Sequence, residues 1–297
     1  MPTAAMILAV FFWASSLNAN KALVATLSVT EVAGTRFALG ALVIWSLVLI
    51  TRQRVNIRSL DKRILLMGFL EPGLVSVLVI WGVTLTTATH AIILWSMMPI
   101  IQPVLGRLVL GEPMSRVVVI ASLIALAGSL ILVSGSLSSP AASIEGDLLC
   151  LAGVLCACLN QLAARRVATG GTSNPFVITA FQLTLALIFI LGVMVFIERP
   201  DITLDQQGDT AYMLLAYAGL AGSAGPFLLY NYALRHMTVG RISLFIPLTA
   251  PIGAAIAWAL LGEELQWFEF VGLAVIVTAV FLPLLSEQRR RQARRLA

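Results

Sequence analysis

Val104–Pro113 reads VLGRLVLGEP and Ile256–Leu265 reads IAWALLGEEL. Each is an apolar stretch ending in the same tripeptide, Leu110-Gly111-Glu112 in the first and Leu261-Gly262-Glu263 in the second, at an offset of 151. Working outward, Leu17-Asn18 returns as Leu159-Asn160 at an offset of 142. The stretch from Val83-Thr84 to Ile92 aligns with Ala233-Leu234 to Ile242 at an offset of 150. Pro99 and Pro103 stand four apart before the first tripeptide, and Pro247 and Pro251 four apart before the second, shifted by about three residues. One pattern therefore occurs twice, and the offset grows as loop insertions would require.

Only 11% of the 297 residues are charged and 59% are hydrophobic, with a mean hydropathy of +0.97. A soluble domain carries about 25% charged residues. So few charges cannot cover a water-exposed surface, which excludes a secreted scaffold, a disordered regulator and an ordinary cytosolic enzyme. The surrounding solvent is lipid. A bilayer core needs about 20 apolar residues of helix, because backbone groups there must bond one another. That ruler gives ten spans, at about 4–26, 32–51, 64–84, 88–109, 115–134, 146–166, 175–197, 210–234, 239–261 and 267–285. Met1–Ser16 lacks the positive start of a signal peptide and reads as part of an uncleaved first span.

Basic residues remain on the cytoplasmic side. Arg52, Arg54, Arg58, Lys62 and Arg63 follow the second span, Arg107 and Arg116 the fourth, Arg165 and Arg166 the sixth, and Arg235 and Arg241 the eighth. Arg289, Arg290, Arg291, Arg294 and Arg295 follow the tenth. All but Lys21, Arg36 and Arg199 of the 19 basic residues thus share one side, and Glu145, Asp147, Glu198, Asp201, Asp205, Asp209, Glu263, Glu264 and Glu269 lie opposite. Both termini are expected in the cytoplasm. Five spans per half is an odd number, so the second half enters the membrane from the other side. The expected fold class is an all-α integral membrane protein of ten transmembrane helices in two inverted five-helix repeats, the architecture of many secondary transporters. The repeats are residues 1–139 and 140–286, followed by a basic cytoplasmic tail, 287–297. Beside a membrane that tail meets anionic head groups rather than nucleic acid.

The residues that could do chemistry are few. A proline frees the carbonyl four residues back: Pro99 that of Trp95, Pro103 that of Pro99, Pro247 that of Ser243 and Pro251 that of Pro247. The two spans are expected to bend there, either lining and gating a route or bending for packing alone. Gly219, Gly222 and Gly225 before Pro226 mark a second hinge candidate. Gly111 is expected as a helix C-cap, with Glu112, Glu263 and Glu264 opening the helices that follow, a gating ion pair being the other reading. Glu71 lies well inside the third span, where a charge costs about 2.5–3.5 kcal/mol. It either carries a coupling proton or bonds a backbone group freed near Pro72. Arg36 lies toward the outer end of its span, where a long side chain can snorkel.

Polar side chains within spans are Asn18, Asn20, His90, Gln102, Asn160, Gln161, Gln182, Tyr230 and Asn231, joined by Trp13, Trp81, Trp95 and Trp258. Amides can hold a zwitterionic headgroup, and aromatic faces can stack a ring or cation. The candidate substrate contacts are Trp13, Asn18, Asn20, Trp81, His90, Trp95, Gln102, Asn160, Gln161 and Tyr230. For each Trp the alternative is the interfacial belt, and for each amide a helix–helix bond. Trp95 and Gln102, seven apart, should share one helix face. Cys150, Cys156 and Cys158 have no metal-site spacing and read as small apolar side chains.

Trp13-Ala-Ser-Ser followed by Asn20-Lys21, the small-residue-rich spans and a proline-containing span ending in Leu-Gly-Glu resemble the drug/metabolite transporter superfamily. Within it the chain resembles the EamA branch of ten-helix exporters, and there the bacterial aromatic amino-acid and methyl-viologen exporters. The resemblance implies export of small organic metabolites across a bacterial inner membrane and adds His90 to the substrate contacts. The family often has Gly where Ala14 stands, and the Trp does not recur in the sixth span, so substrate contacts need not be symmetric. The only lysines are Lys21 and Lys62, so no P-loop exists, and with His90 and His236 as the only histidines there is no zinc-protease pattern. No cofactor or metal is expected. The expected partners are a small-molecule substrate and the lipid bilayer; nothing in the sequence speaks to oligomeric state. The competing functions are an anionic sugar-phosphate or nucleotide-sugar exchanger and a non-transport membrane subunit.

Overall fold

The structure, a computed structural model, describes residues 1–55, 61–86, 88–132, 134, 143–170, 174–261 and 266–296. The described residues form helices and no strand. Seven helices are long and apolar enough to cross a membrane: Val29–Ile50, Arg63–Leu85, His90–Leu110, Ile144–Thr169, Pro175–Glu198, Asp209–His236 and Val239–Ile256. Pro2–Ser16, Arg116–Leu132 and Trp267–Pro283 are shorter apolar helices.

In chain order the helices are α1 (Pro2–Leu23), α2 (Val29–Ile50), α3 (Arg63–Gly68), α4 (Val75–Leu85), α5 (Ala88–Ser96), α6 (Met98–Leu110) and α7 (Arg116–Leu132). They continue as α8 (Ile144–Thr169), α9 (Pro175–Val193), α10 (Asp209–Gly219), α11 (Gly225–His236), α12 (Val239–Ser243), α13 (Thr249–Leu261) and α14 (Trp267–Leu296). Their ends follow local chemistry. Ser28 and Glu31 close a capping box on α2, each side chain accepting from the other's backbone N–H. Asn174 caps α9, with Pro175 in its first turn. Gly111 ends α6 at φ 67°, a left-handed position that suits glycine.

Four helical rods are interrupted where the sequence carries Pro or Gly. Phe69–Leu74 is a wide turn between α3 and α4, with Glu71 extended at φ −140°, ψ 123°. Leu220–Ala224 is a similar turn between α10 and α11. α5 stops at Ser96 just before Pro99, and a short 3₁₀ turn, Ile246–Leu248, separates α12 from α13 around Pro247. Trp95 and Gln102, expected on one helix face, stand on either side of the break at Met97, on α5 and α6. The Pro99 carbonyl, freed by Pro103, accepts from Ser122 Oγ of α7 at 2.6 Å. Glu112 does not open α7, which starts later at Arg116; its carboxylate accepts from the Val239 N–H at the start of α12, at 2.9 Å. Gly262, Glu263 and Glu264 lie outside the described residues.

The chain forms two compact units, each drawn from both halves of the sequence: Met1–Val77 with Leu159–Met237, and Leu78–Cys158 with Thr238–Ala297. In the first, Ala33, Phe37, Ala41, Ile44 and Val48 of α2 recur at helical spacing and pack with Val177, Ala180, Leu183, Ala186 and Ile190 of α9. Trp45 Nε1 donates across this seam to Thr184 Oγ1 at 3.0 Å. In the second unit α7 and α14 approach until a Cβ on Gly272 would stand 2.7 Å from the Gly128 carbonyl. Small residues allow such approach where both helices are apolar and shape is what holds them. Cys150 packs on Gly82, in keeping with a small apolar role.

Candidate functional site

The first unit buries a set of polar side chains in an otherwise apolar interior. It begins at the turn Phe69–Leu74, where Pro72 has no N–H and Glu71 leaves helical geometry. The Glu71 carboxylate accepts from Asn160 Nδ2 of α8 at 2.7 Å, and its backbone carbonyl accepts from Gln182 Nε2 of α9 at 2.8 Å. Gln182 Oε1 in turn accepts from Asn231 Nδ2 of α11 at 3.0 Å, and the same amide reaches Thr179 Oγ1 at 3.0 Å. Beside this chain Gln161 Nε2 donates to the Tyr230 hydroxyl at 2.9 Å. Trp13 of α1 sets its ring edge-on to Tyr230 and Phe227, with centroids 5.6 and 5.5 Å away.

Asn160, Gln161, Gln182, Asn231 and Tyr230 are all buried, while Trp13 and Glu71 are half-buried. A buried polar group without a partner costs about 1–3 kcal/mol, so such groups are normally paired. Here Asn160 Oδ1 and Gln161 Oε1 have no partner. The arrangement offers amide acceptors next to an aromatic wall, the combination that can take the polar head and ring of a small amphipathic solute.

The sequence-derived residues divide between the units. Trp13, Asn20, Glu71, Asn160, Gln161 and Tyr230 belong to the first, and all but Asn20 lie in the network just described. Asn20, half-buried on α1, has a buried Oδ1 without a partner. The Asn18 side chain lies outside the described residues. Trp81, His90, Trp95, Gln102, Pro99, Pro103, Pro247 and Pro251 belong to the second unit. His90 Nδ1 lies 2.9 Å from Asp147 Oδ2, and Thr86 Oγ1 donates to Oδ1 of the same carboxylate at 2.6 Å. Gln102 is fully buried and donates to the Cys158 carbonyl at 3.3 Å. Trp81 is 45% exposed and Trp95 half-buried. Pro99 and Pro103 border an apolar recess of about 120 Å³.

Two parts of the site were not selected from sequence. Gln182 and Asn231 are visible in the sequence as polar residues within spans, but nothing local marks a role for them. Their importance comes from meeting the Glu71 backbone, over a hundred residues from Gln182 in sequence. Arg36 does not snorkel: its Nε is buried, beside Ser16 and Gly222. A shared register could have linked the two sites. Arg36 stands eight residues after the Ser28 cap and Gln182 eight residues after the Asn174 cap.

Comparison with known proteins agrees with this architecture. The model of the EamA-like transporter family matches the chain twice, over residues 2–134 and 144–285. The "Uncharacterized transporter YetK" of Bacillus subtilis (strain 168) is 22% identical over 283 residues, covering 93% of this chain and 84% of that protein. A crystal structure of another protein superposes with a TM-score of 0.79 over 97% of this chain and 98% of that chain, at 16% identity, a likeness of fold. Membership implies a transporter rather than an enzyme. The chain belongs to the EamA-like transporter family of the drug/metabolite transporter superfamily and is a multi-pass membrane transporter of small molecules.

Proposed function

We propose that the chain exports small organic metabolites, amino acids with apolar, aromatic or otherwise neutral side chains, across a bacterial inner membrane by alternating access. The observation that carries this reading is the buried pairing of Gln161 with Tyr230 under the Trp13 ring, next to unpartnered amide oxygens on Gln161 and Asn160. Amide oxygens bind an ammonium without a fixed charge, and aromatic edges and faces suit an apolar side chain. The resemblance to aromatic amino-acid and methyl-viologen exporters points the same way.

In this reading ten helices cross the bilayer as two inverted repeats, 1–139 and 140–286, with both termini cytoplasmic. Two separate family matches support the repeat. So does the equal register of Arg36 and Gln182 behind their caps, and so does a wide turn interrupting the third apolar rod of each half. A fold nearly symmetric about the midplane has two near-equivalent states, one open to each side. Glu71 is the candidate coupling residue, and the proline breaks are candidate gating points. An anionic substrate such as a sugar phosphate is the second reading, favoured by the buried Arg36 Nε.

A competition panel decides between them. Purified protein in liposomes should take up labelled phenylalanine, with unlabelled phenylalanine, threonine and methyl viologen competing and a sugar phosphate having no effect. Uptake of the sugar phosphate alone contradicts the amino-acid reading.

A further inference from the structure

Arg36 and Gln182 occupy equal positions on α2 and α9, each eight residues past its cap and each beside an interrupted helix. Their chemistry differs. Gln182 is satisfied inside the protein, donating to the Glu71 carbonyl within the Phe69–Leu74 turn and accepting from Asn231. Arg36 reaches the other turn, Leu220–Ala224. Its Cδ lies 3.1 Å from where a Cβ on Gly222 would stand, and Ser16 Oγ lies 3.0 Å from the same point. The lack of a side chain at Gly222 makes room for the guanidinium stem.

Among the described residues no carboxylate pairs with Arg36. Its Nε is buried without an acceptor, and its guanidinium carbon sits 4.9 Å from the Phe37 ring centre. Two further buried atoms lack partners: Ser223 Oγ, next to Gly222 in the chain, and Asn20 Oδ1, one turn beyond Ser16 along α1. A guanidinium keeps its proton and is costly at membrane depth unless an anion or dipole meets it. Its planar fork of donors matches a carboxylate in two-point geometry, which a lysine cannot reproduce. A donor cation, a hydroxyl and an amide oxygen together match the two ends of an α-amino acid.

We infer that Arg36 is the counter-ion for the carboxylate of the transported solute, with Ser223 as a second donor and the Asn20 amide oxygen joining those of Asn160 and Gln161 as acceptors for the ammonium. This rests on the amino-acid reading above and adds the position of the headgroup.

The test compares binding of phenylalanine, phenylalaninamide and phenylpyruvate to wild-type protein, Arg36→Gln and Arg36→Lys, read by ligand-induced thermal stabilisation in detergent. A charge-assisted bond is worth about tenfold or more in affinity. Wild type is expected to prefer phenylalanine to its amide by at least about that factor. In Arg36→Gln the preference falls to parity while the amide still binds. Should Arg36→Gln not fold, Arg36→Lys should fold and show a severalfold weaker preference. A preference unchanged in the folded variants, or absent in wild type, overturns the inference. If phenylpyruvate binds in an Arg36-dependent way and amino acids do not bind, the Arg36 role stands and the amino-acid reading fails. If none of the carboxylates binds, the Arg36 role fails.

Discussion

Glu71 is held from two directions: Asn160 bonds its carboxylate and Gln182 its backbone carbonyl, with Asn231 holding Gln182 in turn. Gln182→Leu removes a donor and an acceptor at once and strands the Glu71 carbonyl and one bond of the Asn231 amide. Each stranded buried group costs about 1–3 kcal/mol, so thermal unfolding of the purified protein should begin several degrees lower. An unchanged midpoint would show that the network carries no stability. Glu71→Gln keeps the shape and removes the titratable group, so transport should lose its response to an imposed pH gradient; an intact response assigns coupling elsewhere. Glu71 stood out in the sequence because a carboxylate in an apolar span is rare. The amides that hold it were visible as polar residues, but a pairing across 89 or 111 residues is set by helix packing. The inward turn of Arg36 is not legible in the sequence, because depth along a helix says nothing about which way a long side chain turns.

Helices in this protein are joined by shape, and glycines report where. A Cβ on Gly272 would stand 2.6 Å from the Leu132 amide nitrogen and 2.7 Å from the Gly128 carbonyl, both backbone atoms that cannot swing aside. Gly272→Leu should force α7 and α14 apart and abolish the yield of folded protein in size-exclusion chromatography. Gly192→Ala, where a Cβ meets nothing within 4 Å, should be tolerated and can gain about 0.5–1 kcal/mol of helix propensity. Gly111→Ala forces an L side chain into the left-handed region at φ 67° and should cost about 1–2 kcal/mol in denaturant unfolding. Element breaks were the most legible feature here, since Pro99, Pro247 and the Gly219-to-Pro226 run announce them. The Glu112 bond to the start of α12 was not, because it joins residues 127 apart.

Across the whole molecule, composition alone identified the solvent, and the family model matches two stretches of the chain, one in each half of the twofold sequence pattern. What the pattern did not reveal is how the halves combine. Each compact unit takes a piece from both, the boundaries falling at Val77–Leu78 and Cys158–Leu159, inside α4 and α8, and at Met237–Thr238, between α11 and α12. That exchange depends on side-chain packing along continuous helices and leaves no local mark in the sequence. The proposed mechanism gives it a use, since a carrier must alternate between faces with a loaded site. Counterflow measures that alternation most directly. Proteoliposomes preloaded with unlabelled phenylalanine should accumulate external labelled phenylalanine transiently, faster than empty ones and with saturation. Equal, non-saturable entry into loaded and empty liposomes, or none at all, would contradict alternating access to an amino-acid site.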